Sequence, residues 1–492
     1  MASLPRLASL HQITGPVTRP AYNLAEHGVG IVHLGVGAFH RAHVADYCDQ
    51  ALAKSGGDWR IQGVSLRSTT VADQLNPQNG LYTLLVRDAA GLQGRVIGAI
   101  QSVLTAAREK ADVLKAMTNP EIRIVTITVT EKAYGISRET GGVDMAHPAV
   151  IADLAAPEAP GGVLGLLTEA LRQRRAAGTP PFTVLCCDNL PANGTLLRQG
   201  VTSFAGHVDP DLAAWIESNV AFPCSMVDRI TPASTETTLQ DAARLTGCAD
   251  HAAVETEPFS QWVIEDTFPQ GRPALEEVGA ELVGDVAPFE QMKLRMLNGS
   301  HSMMAYAGFL SGKTFIRDVM ADEALQALVG QHMRAASKTL PPGLDTEAYA
   351  SALMARFANP AIAHETYQIA MDGTQKLPQR LLAPAHETLR ANADIGPFAF
   401  AVAAWMRYCL GRRDDGEAYA LRDPRESEIA TIVSGKSTAS DIADALHDLP
   451  GLFPAALTAS PVWRDAVTTA LARMLEEGMS AAISAQARAS SG

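Results

Sequence analysis

The run Ile31-Val32-His33-Leu34-Gly35-Val36-Gly37-Ala38-Phe39-His40 decides the fold. Its first four residues predict a short strand that stops at glycine, and Ala38 to Ala53 predict the helix that follows. Gly35 permits a tight turn. Gly37 lets backbone N–H groups, with Ala38 and Phe39 opening the helix, approach a pyrophosphate. The third glycine of a G-x-G-x-x-G pattern is missing, and His40 stands in its place. The strand before the turn and the helix after it therefore carry the dinucleotide reading more than the glycines do.

Outward from this turn, strand-like and helix-like segments alternate over the first 285 residues. Arg60 to Leu66, Arg123 to Val129 and Phe182 to Cys187 predict strands, and Leu164 to Ala176 predicts a helix. Such alternation implies a doubly wound parallel sheet covered on both faces. From residue 286 the pattern turns helical: Phe289 to Leu310, Asp322 to Lys338, Thr346 to Phe357, Phe398 to Leu410 and Pro461 to Glu477. The expected organisation is α/β, with a dinucleotide-binding domain over 1–285 and a mostly α-helical substrate and catalytic domain over 286–492. A ligand is expected in the cleft between them, at the carboxyl ends of the strands. The end of the chain, Ser480 to Gly492, is expected to finish a helix and fray.

Composition narrows the function. The 492 residues carry 53 acidic and 40 basic side chains, a formal net charge of -13, which argues against nucleic acid as a partner. No apolar run is long enough for a membrane span, and the N-terminus lacks a signal-peptide core. Six scattered cysteines lack zinc-ligand spacing, and Cys186 and Cys187 alternate faces if they lie on a strand. They fit buried apolar positions in a reducing compartment, so the location is read as cytoplasmic and the metal content as none. The oligomeric state stays open.

Three further stretches carry chemistry. The second strand ends Leu66-Arg67-Ser68-Thr69-Thr70, without the acidic residue that holds a ribose 2′-hydroxyl. Arg67 with Ser68 and Thr69 would tolerate a 2′-phosphate, so the cofactor is NAD with NADP left open. In Phe289 to His301, an α-helix turning about 100° per residue puts Glu290 at about 60°, His301 at about 80° and Asn298 at about 140° from Lys293. The alternative is a solvated face with an i,i+3 Glu–Lys pair. Apolar flanks, and Asn and Gly inside a helix, favour function. A lysine brought by burial to a pKa of about 7–8 can take a hydroxyl proton, and Asn298 can donate to the developing alkoxide. His301 would orient a neighbouring hydroxyl, and Glu290 would link Lys293 to solvent. Cys187-Asp188-Asn189-Leu190-Pro191-Ala192-Asn193 ends a strand. Asn189 is placed to reach the ligand, and Asn193 suits an Asx cap on the next helix. Ala370 to Arg380 reads as a loop with two cations, solvated by default. No tyrosine is followed four residues later by lysine, so the short-chain reductase dyad is absent.

These motifs resemble the long-chain, metal-independent mannitol dehydrogenase family, which includes mannitol 2-dehydrogenase and fructuronate reductase (D-mannonate oxidoreductase). The matching stretches are Ile31 to His43, Thr128 to Tyr134, Cys187-Asp188-Asn189, Met226 to Ile230 and Lys293 to His301. The resemblance implies a Rossmann-type N-terminal domain and a helical C-terminal domain. It makes Lys293 the general base, Asn189 and Asn298 the oxyanion hole, His301 and Lys376 substrate contacts and Glu290 a proton gate. Val227 and Asp228 would line the nicotinamide side. Within the family, Tyr367 to Arg380 looks like fructuronate reductases, and Gln368 stands where mannitol 2-dehydrogenases tend to carry a substrate-binding arginine. Lys132 of the reductase-like Glu131-Lys132 pair would meet a uronate carboxylate. Glu365, where close reductases have arginine, points the other way. The expected reaction is reversible hydride transfer between NAD(H) and D-fructuronate/D-mannonate. A neutral polyol (mannitol or arabinitol) dehydrogenase and a non-catalytic sugar- or nucleotide-sensing protein are the alternatives.

Overall fold

In the computed structural model, which describes residues 4–137 and 139–489, the chain divides into two compact units, one up to Ala287 and one from Pro288. The first is built on a five-stranded sheet of β1 (Val29–Leu34), β2 (Arg60–Ser65), β3 (Ile100–Thr105), β4 (Ile124–Ile127) and β5 (Thr183–Cys186). Every pairing is parallel, and the order is β3-β2-β1-β4-β5. The chain runs outward from β1 to β3 and then restarts on the other side at β4. The order therefore reverses beside β1, and that switch point lies at the turn after Leu34.

Both faces of the sheet are covered. Val32, Leu34, Val125, Ile127, Val184 and Cys186 belong to one apolar core, and Ile31, Ile61, Leu185 and Cys187 to another. The adjacent cysteines thus alternate faces, as strand geometry requires. All six cysteines are free and buried.

Several elements went beyond the periodicity. Strand β3 has a polar outer edge and lacked a recognisable signal. Two three-stranded sheets also flank the core: Gly91–Ile97, Tyr82–Asp88 and Val254–Thr256, and Glu281–Val283, Gln261–Glu265 and Ser225–Asp228. The helix expected over Ala38 to Ala53 is broken. It runs Ala38–Ala42, bends at His43 (φ -126°, ψ -81°) and resumes as Val44–Ser55. The His43 ring lies against Phe39, Tyr47 and Trp262, and its Nε2 is 3.0 Å from the Gln261 carbonyl. Tertiary packing thus overrides helix propensity at this residue. Arg229 of the Met226 to Ile230 stretch is structural: its buried guanidinium pairs with Asp46 at 2.7 Å.

Apart from isolated bridges, the regular secondary structure of the second unit's described residues is helix. Its helices include Glu323–Ser337, Thr346–Phe357, Gly396–Tyr408 and Pro461–Glu476, close to the expected ranges, and Met479–Ala489 ends the described chain. Gly492 and its two predecessors lie outside the described residues. The stretch expected as a loop, Ala370 to Arg380, is mostly helical. Helices Thr366–Ala370 and Gly373–Leu377 are separated only by Met371 and Asp372, and winding continues through Pro378–Leu382 into Ala383–Arg390. Gly and Pro mark only the break here. Asp372 takes the left-handed conformation (φ 57°), and Gly373 lets Tyr306 and Trp405 pack so close that a Cβ would stand 2.7 Å from each. No helix among the described residues is long and apolar enough to cross a membrane.

Candidate active site

In the first unit the candidate residues follow the carboxyl ends of the parallel strands. Gly35 closes β1 with φ +95°, and a Cβ there would stand 2.0 Å from the Thr128 carbonyl, so only glycine fits. Its N–H donates to the Val64 carbonyl at 2.8 Å. Gly37 is exposed, and the nearest atom to a Cβ there would be 3.9 Å away. Open space therefore lies over the start of helix Ala38–Ala42, where no side chain caps the backbone N–H groups. A rigid turn below and an open backbone above are what a dinucleotide pyrophosphate requires.

The missing third glycine has a physical substitute. That glycine normally permits close helix–strand packing. Here the His40 ring stacks on His33 of β1, with centroids 3.4 Å apart and planes 17° apart. His33 lies 2.8 Å from both Thr126 Oγ1 and Thr128 Oγ1, and Thr128 Oγ1 donates to the Gly35 carbonyl at 2.8 Å. Burial pushes His33 down to about 3. Burial, followed by the nearby His33, Arg41 and His43, holds His40 well below 6.5. Both rings are neutral and pack flat.

Arg67 and Ser68 are exposed beyond β2. Ser68 Oγ donates to Thr70 Oγ1 at 2.7 Å, which turns the chain into the next helix. Lys132 is exposed on the turn Glu131–Ala133. Asn189 is exposed just past β5, beside Asp188, whose carboxylate accepts from Val129 N–H at 2.8 Å and Tyr134 O–H at 2.5 Å. Burial pushes Asp188 up to about 6. Asn193 is not a helix cap. The helix Asn193–Val208 lacks a side-chain cap, and Ala192 before it has φ 46°. The buried Asn193 amide instead donates to the Asp188 and Ser225 carbonyls at 3.0 and 2.8 Å, fastening the Asn189 loop to strand Ser225–Asp228. Val227 and Asp228 on that strand are 4% and 7% exposed.

In the second unit the helical backbone is continuous from Ala287 to Leu310, but six residues of it, Lys293–Asn298, form a π-helix. Gly299 N–H donates to the Leu294 carbonyl, five residues back. An i→i+5 turn takes roughly 4.4 residues, so each residue advances only about 82°. Asn298 then stands about 50° from Lys293 rather than about 140°, and His301 about 10° rather than about 80°. With Glu290 at about 60°, all four side chains occupy a sector of about 70°. The widened turn lines up candidate residues that an α-helix would spread more widely. Lys293 is buried (8% exposed), while Glu290, Asn298 and His301 are half-buried.

A second π turn, Pro378–Leu382, packs against the first. From it, Arg380 reaches Ser302 Oγ at 3.2 Å and the Asn298 carbonyl at 3.5 Å. Lys376, in the turn before, donates from Nζ to the Ile369 and Met371 carbonyls at 3.2 and 2.5 Å. Gln368 is exposed on the short helix Thr366–Ala370. Three basic residues not singled out for the site join it: Arg356, His364 and Arg380. His364 lies edge-on to His301 at 5.3 Å, and the Phe357 ring is tilted against His301 at 4.7 Å. Removal from water, then the charges of His364, Arg356 and Arg380, holds His301 well below 6.5 and neutral. Burial, and then Arg380, lowers Lys376, while Asp372 and Asp423 oppose the shift. Glu365 is exposed at the start of its helix. Only a count of cations between Arg356 and Arg380 would have pointed to this group. Among the described residues, no set of three or more His, Cys, Asp or Glu could hold a metal ion.

Both halves of this geometry match known proteins. The mannitol dehydrogenase Rossmann domain matches residues 29–277, and the mannitol dehydrogenase C-terminal domain matches residues 285–475. The chain belongs to the mannitol dehydrogenase family. Among its relatives is D-mannonate oxidoreductase of Escherichia coli K12, 42% identical over 94% of this chain and 96% of that protein. The mannitol 2-dehydrogenase of Pseudomonas fluorescens, solved with NAD and D-mannitol, is 36% identical with a TM-score of 0.79, covering 98% of this chain and 99% of that one. A D-sorbitol dehydrogenase solved without substrate is 34% identical with a TM-score of 0.90, covering 98% and 100%. The chain is an oxidoreductase of this family.

Proposed function

We propose that this NAD-dependent oxidoreductase interconverts D-fructuronate and D-mannonate, with Lys293 as general base. The observation that carries the substrate reading is the cluster of cations near His301 and His364: Arg356, Lys376 and Arg380. A sugar acid brings a carboxylate that these cations can meet, and a neutral polyol does not.

In the oxidative direction, Lys293 takes the hydroxyl proton, and the amides of Asn189 and Asn298 hold the alkoxide oxygen as charge develops. The electron pair of the carbinol C–H bond leaves as hydride, and the carbon becomes a carbonyl. When bound, NAD supplies the acceptor for that hydride, over the open turn at Gly35, Gly37, Ala38 and Phe39, with Arg67 and Ser68 near the adenosine end and Val227 and Asp228 along the nicotinamide side. Neutral His301 orients an adjacent hydroxyl. Lys376 binds substrate with its remaining donor, Gln368 supplies an uncharged contact, and Lys132 meets the carboxylate. Glu290 passes the proton from Lys293 onward. In this reading the first unit binds the dinucleotide and the second carries the base. Six free, buried cysteines extend the reading to a reducing, cytoplasmic location.

A second reading has its own support. The TM-score of 0.90 is to a D-sorbitol dehydrogenase, which favours a neutral polyol. NADH oxidation with D-fructuronate and, in parallel, D-fructose, repeated with NADPH, separates the two. The proposal expects kcat/KM at least tenfold higher for fructuronate. Preference for fructose would replace it with the polyol reading. Turnover of neither substrate, with NADH still bound, would favour a sensing protein.

A further inference from the structure

A π turn is held in place by contacts that an α-helix would not need, and such turns concentrate at functional sites. The one at Lys293–Asn298 is held from two sides. His332, on the helix Glu323–Ser337, is 1% exposed, and its Nε2 lies 3.3 Å from the Arg295 carbonyl, in the middle of the turn. His332 Nδ1 is buried without a hydrogen-bond partner. The proton therefore belongs on Nε2, which donates to that carbonyl. Burial pushes His332 down to about 4, so the ring stays neutral. The Arg295 side chain leaves in another direction, to both oxygens of Glu387 at 2.6 and 2.8 Å and to the Thr339 carbonyl at 2.5 Å. Gly299, just past the turn, allows this close approach. A Cβ there would stand 2.6 Å from His332 Nε2 and 3.0 Å from the Arg380 carbonyl.

We propose that His332 is a positioning residue for the reaction: its hydrogen bond to the Arg295 carbonyl holds the π winding that brings Asn298 onto the face of Lys293. The inference rests on the proposed roles of Lys293 and Asn298. His332 acts through the main chain. Without its bond the turn relaxes toward α winding, and Asn298 rotates by about 90° away from Lys293. The oxyanion donor is then misdirected while the base remains.

The test uses the full-length enzyme with NADH and whichever of D-fructuronate and D-fructose it reduces faster. His332→Leu removes the donor, and His332→Gln keeps an N–H donor of similar reach. The Leu variant should lower kcat at least tenfold, toward the roughly 10²–10³-fold loss of an oxyanion-hole donor. NADH affinity should stay within twofold, and the Gln variant should recover most of the loss. Placed on Asn298→Ala, His332→Leu should cost less than about threefold more, because its effect runs through Asn298. Wild-type kcat in the Leu variant, equal losses in Leu and Gln, or additive losses on Asn298→Ala would each overturn the inference. If the Leu variant does not fold, Gly299→Ala carries the same test by pressing the ring away. It should lower kcat selectively, and unchanged kcat would overturn the inference. Wild-type turnover in Lys293→Ala and Asn298→Ala would instead overturn the proposed site itself.

Discussion

The two units build their candidate sites in opposite ways. At Gly35–Ala38 the working surface is backbone: one left-handed glycine, one exposed glycine and N–H groups that no side chain caps. At Lys293–His301 the working surface is side chains, and the backbone contributes by winding irregularly beneath them. A backbone site needs residues to be absent, so it is sensitive to any added atom. A side-chain site needs spacing, so it is sensitive to helical register.

Gly35→Ala attacks the first mode. The new methyl would meet the Thr128 carbonyl in a left-handed conformation, so the turn must shift. NADH affinity should fall at least tenfold, with a stability loss of about 2 kcal/mol or more, readable by fluorescence titration and thermal melting. Unchanged NADH affinity would break the contrast.

Acidification separates the units by stability. In the helical unit His332 and His447 are pushed by burial down to about 4, and His301 and His364 are lowered too. Each histidine has a folded value below its unfolded 6.5, so the stability it contributes is present above about pH 6.5. That stability is lost as pH falls toward the folded value, at about 1.4 kcal/mol per pH unit for each fully buried ring. The first unit has His33 and His40 with the same sign, but burial raises Asp188 to about 6, so its proton uptake in the folded state opposes the loss, and burial shifts Asp49 in the same direction. Hydrogen exchange at pH 7.5 and 5.5 should therefore find the helical unit losing protection first. Earlier opening of the first unit would contradict this balance.

The smallest effect concerns substrate. Lys132 is exposed, so its attraction for a carboxylate is screened. Lys132→Ala should raise KM for D-fructuronate by about three- to tenfold, roughly 1 kcal/mol, and leave D-fructose unchanged. Equal changes for both would remove Lys132 from the substrate site.

The same contrast explains what could be read from the sequence. The glycine turn, the parallel strands and the long amphipathic helices follow from local rules of conformation and periodicity. The row Glu290, Lys293, Asn298 and His301 was legible as a polar face, but not its alignment, because 100° per residue assumes α winding. Nothing in Lys293 to Asn298 specifies a π turn. The contacts that hold it, from His332, Glu387 and Arg380, come from residues 37 to 92 positions away from the groups they meet, and only tertiary packing brings them there. His40 was legible only as a missing glycine, since its partner His33 lies across a strand–helix contact. Ala370 to Arg380 misled because Gly and Pro suggested a loop, while packing against Tyr306 and Trp405 favours helix.

The division of labour between the units is tested most directly by Lys293→Ala, assayed for turnover and NADH binding together. The account predicts that kcat falls by about 10²–10⁴-fold while the NADH dissociation constant stays within twofold. Wild-type turnover, or loss of NADH binding in step with turnover, would contradict it.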